Sequence, residues 1–183
     1  MAINDDWSAS LQNEFPFMKR ERAEEGTIYQ RWGFECAAGW YALLSDCCLR
    51  ITEEYEQAGR EIDFIPLQIK EKFGTLRFYY GFKDFPQSIS AIDFSDSQSL
   101  RFSPSNQQDD EEIALLRQAI DDIISETEEQ SKQICEFCGE KGSLRTDLRW
   151  KKTLCDHCYN EQIQAFKLRQ QNRKIPRSED YKD

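Results

Sequence analysis

Residues 135–158 read CEFCGEKGSLRTDLRWKKTLCDHC: two CxxC pairs sixteen residues apart, holding four of the chain's seven cysteines. A CxxC turn brings two thiolates close enough to share one metal ion, and its backbone amides can donate to sulfur and offset the charge. Two such pairs complete a tetrahedral set, so Cys135, Cys138, Cys155 and Cys158 are expected to hold one structural Zn2+. Four protein ligands leave no position for water, and a closed site of this kind holds structure and does not catalyse. His157 lies within the second pair but is not needed as a ligand, and it is expected at the surface.

The residues around the cysteines predict the local fold. Gly139 supplies the unhindered backbone that a knuckle after CEFC wants. Turn residues at Lys141, Gly142 and Ser143 precede alternating Leu144, Thr146, Leu148 and Trp150, enough for a short β-hairpin. The second pair opens YNEQIQAFKLRQQNRK, which reads as a helix. Knuckle, hairpin and helix make a zinc-ribbon or treble-clef-like segment, with a spacing close to that of GATA-type fingers.

Upstream, GWYALLSDCCLRITEEYEQAG places Trp40, Leu43, Leu44, Cys47, Cys48, Ile51 and Tyr55 on one helical stripe, with Gly59 as the stop. Cys47 and Cys48 are therefore expected in the core, and with Cys36 they are expected to stay outside the metal site. In IDFIPLQIKEKFGTLRFYYGF the period changes to two and breaks at Gly74, which predicts a β-hairpin. Ile65, Leu67, Ile69 and Phe73 are expected on its inner face, and Lys70, Lys72 and Arg77 on its outer face. Residues 84–110 read as a long polar loop with a short strand near ISAIDF, and 110–134 as an acidic amphipathic helix leading into Cys135. The first thirty residues read as a loosely structured lead-in with one short helix.

The fold class predicted is α+β: a small core of helix plus β-hairpin within 1–131, a metal-binding segment at 132–175 and a flexible tail at 176–183. The longest apolar runs fall far short of the roughly 20 residues a membrane helix needs. The acidic start MAINDDWSASLQNEF lacks the layout of a signal peptide. A cytoplasmic location is expected, where thiols stay reduced and paired cysteines are metal ligands before they are disulfides.

RWGFECAAGWYALL, QIKEKFGTLRFYY and CEFCG…TLCDHC are similar, in that order, to motifs in a group of small uncharacterised proteins of bacteria and their phages that end in a zinc-binding segment. The similarity covers roughly 31–82 and 132–160. The group's turn before GW tends to read CG.GW, and Ala37 departs from it. The resemblance implies a terminal zinc segment and carries no established activity.

Charge narrows the classes of function. The net charge of −10 divides into −5 for 1–60, 0 for 61–90, −8 for 91–134 and +3 for 135–183. An acidic body suits a basic protein partner, and small acidic bacterial proteins of this kind include immunity or antitoxin proteins that block nucleases. The alternative is a nucleic-acid-associated zinc-finger protein that uses the basic C-terminal segment, with Trp150 and Phe166 as stacking surfaces. Candidate partner or anion contacts are Arg31, Glu35, Lys70, Lys72, Arg77, Arg149, Lys151 and Lys152. No catalytic set is expected: Cys36 beside Glu35 is the one tempting nucleophile, but His157, the chain's single histidine, lies in the metal motif.

Overall fold

A two-residue turn at Phe73 and Gly74 organises the sheet. Both residues have positive φ, 56° and 82°, the signature of a type I′ hairpin. It joins β2 (Phe64–Lys72) to β3 (Thr75–Phe82), and β1 (Phe34–Glu35) pairs in parallel with the other edge of β2, giving the order β1-β2-β3. The computed structural model describes residues 6–83, 91–95, 98–101 and 111–173, so the tail predicted at 176–183 lies outside the described residues. A separate two-stranded ladder pairs β4 (Ala91–Ser95) with β5 (Gln98–Arg101), which extends the strand expected near ISAIDF into a hairpin.

The expected facing of β2 is corrected by a bulge. The β2–β3 register shifts between Pro66 and Gln68, so Leu67 is the extra residue and the alternation changes phase there. Phe64 and Pro66 point inward before the bulge and Ile69 after it, while Ile65 and Leu67 are only half-buried. Proline loses no ladder bond at such a position.

Helix α3 (Tyr41–Gln57) buries Leu43, Leu44, Cys47, Cys48, Ile51 and Tyr55, as its periodicity predicts. Burial pushes the Cys47 thiol up to about 12. Helix α4 (Glu111–Ser131) packs beside α3 and along the free edge of β3. The edge N–H groups of β3 are taken by side chains of this helix: Leu76 N–H donates to Ser131 Oγ at 2.9 Å and Phe78 N–H to Glu128 Oε1 at 2.7 Å. Further along, Tyr80 Oη donates to Asp121 Oδ1 at 2.8 Å, and the Arg117 guanidinium stands 4.5 Å from the Phe82 ring centroid. The match is metrical. Six residues of strand span about 20 Å, and the fourteen of helix from Arg117 to Ser131 span about 21 Å.

Two expectations fail in this core, both through long-range packing. Arg77 is not on an outer face: it is 8% exposed, with Nη1 3.9 Å from the Glu128 carboxylate. The first thirty residues are not a loose lead-in. α1 (Asp6–Glu14), two 3-10 turns at Pro16–Met18 and Arg20–Arg22, and α2 (Ile28–Trp32) deliver Leu11, Phe15, Phe17, Met18 and Tyr29 to the main core. Phe17 packs edge-on against Phe64, and Tyr29 Oη donates to the Met18 carbonyl at 2.7 Å.

Glu128→Ala leaves the buried Phe78 N–H without its acceptor and removes the carboxylate facing Arg77. It should destabilise the protein by about 3–5 kcal/mol, the cost of breaking a buried pair, read as a lower urea midpoint with an unchanged slope. Glu129→Ala, on the exposed side of the same turn, should change the stability by no more than about 0.5 kcal/mol. Equal losses from both variants would refute the edge-capping account.

Candidate metal centre

The last turn of α4 leads through Ile134 into the first cysteine pair. Gly139 N–H donates to the Cys135 carbonyl at 2.9 Å and Cys135 N–H to the Glu140 carbonyl at 2.7 Å, which closes the knuckle. β6 (Ser143–Arg145) and β7 (Lys152–Leu154) pair antiparallel, and helix α5 (Asp156–Arg173) begins inside the second pair. The hairpin is shorter than its alternation predicts, and Trp150 lies in the connection between its strands.

The sulfur atoms of Cys135, Cys138, Cys155 and Cys158 all lie within 4.8 Å of one another, and those of Cys138 and Cys155 are 3.5 Å apart. Tetrahedral thiolates at about 2.3 Å from a metal would sit about 3.8 Å from each other. The four residues therefore fit a metal ion with small adjustments of side-chain torsion. Cys155 occupies the cap of α5, and its sulfur accepts the Cys158 N–H at 3.4 Å. That bond, aided by the neighbouring thiols and opposed by slight burial, lowers the Cys155 pKa to about 7, the direction that favours a metal-ligating thiolate. Burial pushes the Cys158 thiol in the opposite direction. A metal would reverse that shift by drawing the proton off.

The remaining sequence candidates fall outside this cluster. Cys47 and Cys48 are in the core, and Cys36 is half-buried at the end of β1. Burial raises the Cys36 thiol, with Glu136 adding to it, which makes a poor nucleophile. His157 is exposed and lies 3.6 Å from the Glu161 carboxylate, away from the sulfurs.

The metal segment is seated on the core along one seam. Gly39 N–H donates to the Glu136 carbonyl at 2.8 Å, Trp40 Nε1 to the Ile134 carbonyl at 2.9 Å, and Thr153 Oγ1 to the Gly74 carbonyl at 2.6 Å. A Cβ on Gly39 would lie 2.3 Å from the Cys135 carbonyl oxygen, so no other residue fits without displacing the knuckle. Beneath the seam the Lys152 ammonium lies 2.6 Å from Glu136 and 3.4 Å from Glu71, and Glu71 also accepts the Gly74 N–H. Burial raises the Glu136 pKa while Lys152 opposes it. Burial lowers that of Lys152, but its two carboxylates outweigh it and hold the pKa up.

Lys152, expected as a partner contact, is thus an internal tie. Lys70 stands over the Tyr79 ring and Lys72 over Phe73, Glu35 accepts from Gln68, and Arg31 and Arg149 are exposed while Lys151 is partly covered. Glu71 and Glu136 were missed because nothing local distinguishes them from surface glutamates, although both flank motifs singled out by their spacing. No protein-family model matches the chain, and no curated protein or solved structure matches it.

Gly39→Ala should weaken metal binding by about tenfold or more, since about 1.4 kcal/mol of strain transmitted to the knuckle suffices; competition with a chromogenic chelator measures it. Stripping the metal should in turn shift the emission of the buried Trp40. An emission spectrum indifferent to chelation would mean that the seam does not couple site to core.

Proposed function

We propose that the protein is a cytosolic zinc-stabilised protein-interaction module whose acidic helical face takes a basic partner. Zinc is the metal that four thiolates in a tetrahedral set suit best, and a knuckle, hairpin and helix around them support a treble-clef-like unit. Elemental analysis of protein purified without chelator should give about one zinc per chain, falling sharply in Cys135→Ser and Cys158→Ser. Another metal, or none, overturns that part of the reading.

The observation that carries the partner reading is the surface of α3 and α4. Asp46, Glu53 and Glu56 on one helix and Glu112, Asp122, Glu126 and Glu129 on the other are all exposed, and Arg50 is the one basic residue on the outside of either helix. Arg50 bridges the two rows, 2.6 Å from Glu126 and 4.0 Å from Asp46, so they form a continuous face. Leu49 and Leu115 are 49% and 65% exposed on the same rows. Glu54 and Glu112, together with Arg60, line a cleft of about 390 Å³ beside Leu115. Acidic rows with apolar anchors give fast, selective association with a basic surface. An immunity or antitoxin protein that covers a basic nuclease is one form of this activity, and the small size and acidic charge of the chain support it.

Pull-down from a bacterial host should yield one dominant basic protein that elutes with salt. Reversal of Asp46, Glu53, Asp122 and Glu129 to Lys should slow its association at least tenfold and leave zinc content unchanged. Capture of the same protein by the reversed variant would overturn the assignment to this face.

A further inference from the structure

The zinc segment carries a second surface of opposite sign that the acidic face does not use. The connection between β6 and β7 and the first half of α5 enclose a groove of about 380 Å³ whose walls include Leu148, Trp150, Ile163 and Phe166, together with Arg149 and with Asp147, whose carboxylate accepts from Tyr159 Oη. Trp150 is 70% exposed and Phe166 52%, so two aromatic rings that line one groove keep half or more of their surface in solvent. Neither has a structural duty that explains this. The apolar core of the segment is made by Cys135, Leu154 and Cys158 with Phe137, Leu148 and Tyr159 around it.

The cations sort into two groups. Arg145 is held by Asp156 at 2.5 Å and stands over the Tyr159 ring, and Lys152 is tied to Glu136 and Glu71. These maintain the fold. Arg149, Lys167 and Arg169 are exposed, and Arg149 stands 5.9 Å from the Trp150 ring centroid. On α5, Lys167 lies one turn beyond Ile163 and Arg169 one turn beyond Phe166, so both cations stand at the border of the groove.

We infer that this groove binds single-stranded nucleic acid, with bases stacked on Trp150 and Phe166 and phosphates met by Arg149, Lys167 and Arg169. Flat π-faces flanked by cations are the elements of single-strand recognition, because every base offers a face to stack and every nucleotide a phosphate to neutralise. The volume exceeds that of one base, and the exposed Gln162 amide on the groove wall can donate to or accept from a base edge. A double helix keeps its bases stacked on each other and cannot use the rings. An acidic peptide would satisfy the cations, but an extended aliphatic trough would serve its anchors better than two open aromatic faces. The inference does not rest on the acidic face, which lies on other helices.

Titration of the metal-loaded full chain with ten-nucleotide oligo-dT and oligo-U at about 20 mM salt, followed by tryptophan fluorescence and by anisotropy of a labelled strand, tests it. The expected result is quenching with either strand. The log-log dependence of affinity on salt should have a slope near −2, from three phosphates at about −0.7 each. Trp150→Ala and Phe166→Ala should each weaken binding by about 5- to 150-fold, with metal content retained. Trp150→Phe should keep the anisotropy change and lose most of the quenching. Preference for oligo-U over oligo-dT would add a contact to the 2′-hydroxyl, and equal binding would assign the affinity to stacking and charge; either supports the groove. Equal affinity for a duplex or for polyglutamate of matched charge, insensitivity to Trp150→Ala, or no binding at low salt overturns the inference. Loss of the basic protein partner in pull-down would leave these results untouched, so the two readings fail separately.

Discussion

The absence of a side chain at Gly39 is the constraint on which the joined structure depends. It lets the backbone before α3 touch the carbonyl edge of the cysteine knuckle, and the same approach brings the Trp40 indole to Ile134. Trp40 is fully buried and opens α3, so the position of the metal-binding segment is passed to the central helix through two adjacent residues. Gly74 does the same from the hairpin side, where its positive φ makes the turn and its carbonyl receives Thr153. The three stretches at 31–44, 68–80 and 135–158 therefore meet at one seam. Their separation along the chain hides a single structural unit.

A metal in this site would act on the core as well as on its own loop. Binding energy for four thiolates is large, roughly 10–16 kcal/mol for structural zinc in finger peptides, against total stabilities of about 5–15 kcal/mol for ordinary domains. Even a modest share passed through the seam would be felt at Trp40. The buried charges of Glu71, Lys152 and Glu136 contribute less net energy than their distances suggest, since removing them from water costs about what their attraction returns. Their effect is on register: a lysine that must meet two carboxylates from separate segments permits one seating of β7 on the hairpin.

The sequence made the metal centre legible because ligand spacing is a local code, and it made α3, α4 and the β2–β3 turn legible because periodicity and a Phe-Gly turn are local too. It misled at Ile65 and Leu67, where one extra residue shifted a strand's phase and alternation has no means of announcing the slip. Arg77 and Lys152 read as surface cations because their partners, Glu128, Glu136 and Glu71, are distant or unremarkable in sequence. The early segment was undervalued for a related reason. Leu11, Phe15, Phe17, Met18 and Tyr29 belong to short helices, turns and the links between them, with no sustained period, yet each is buried by what it meets in space.

The capping of β3 by α4 has a consequence during synthesis. The acceptors for the edge amides of Phe78 and Leu76 are encoded 50 and 55 residues downstream, so the strand emerges from the ribosome well before its cover. At about 5–20 residues per second the interval is roughly 3 to 10 s. For that time the nascent hairpin presents an open ladder of donors and carbonyls, the kind of edge that recruits another strand. In the interval the chain makes β4 and β5, which pair with each other and not with β3. The order in which the elements are made thus leaves that edge open until α4 is complete.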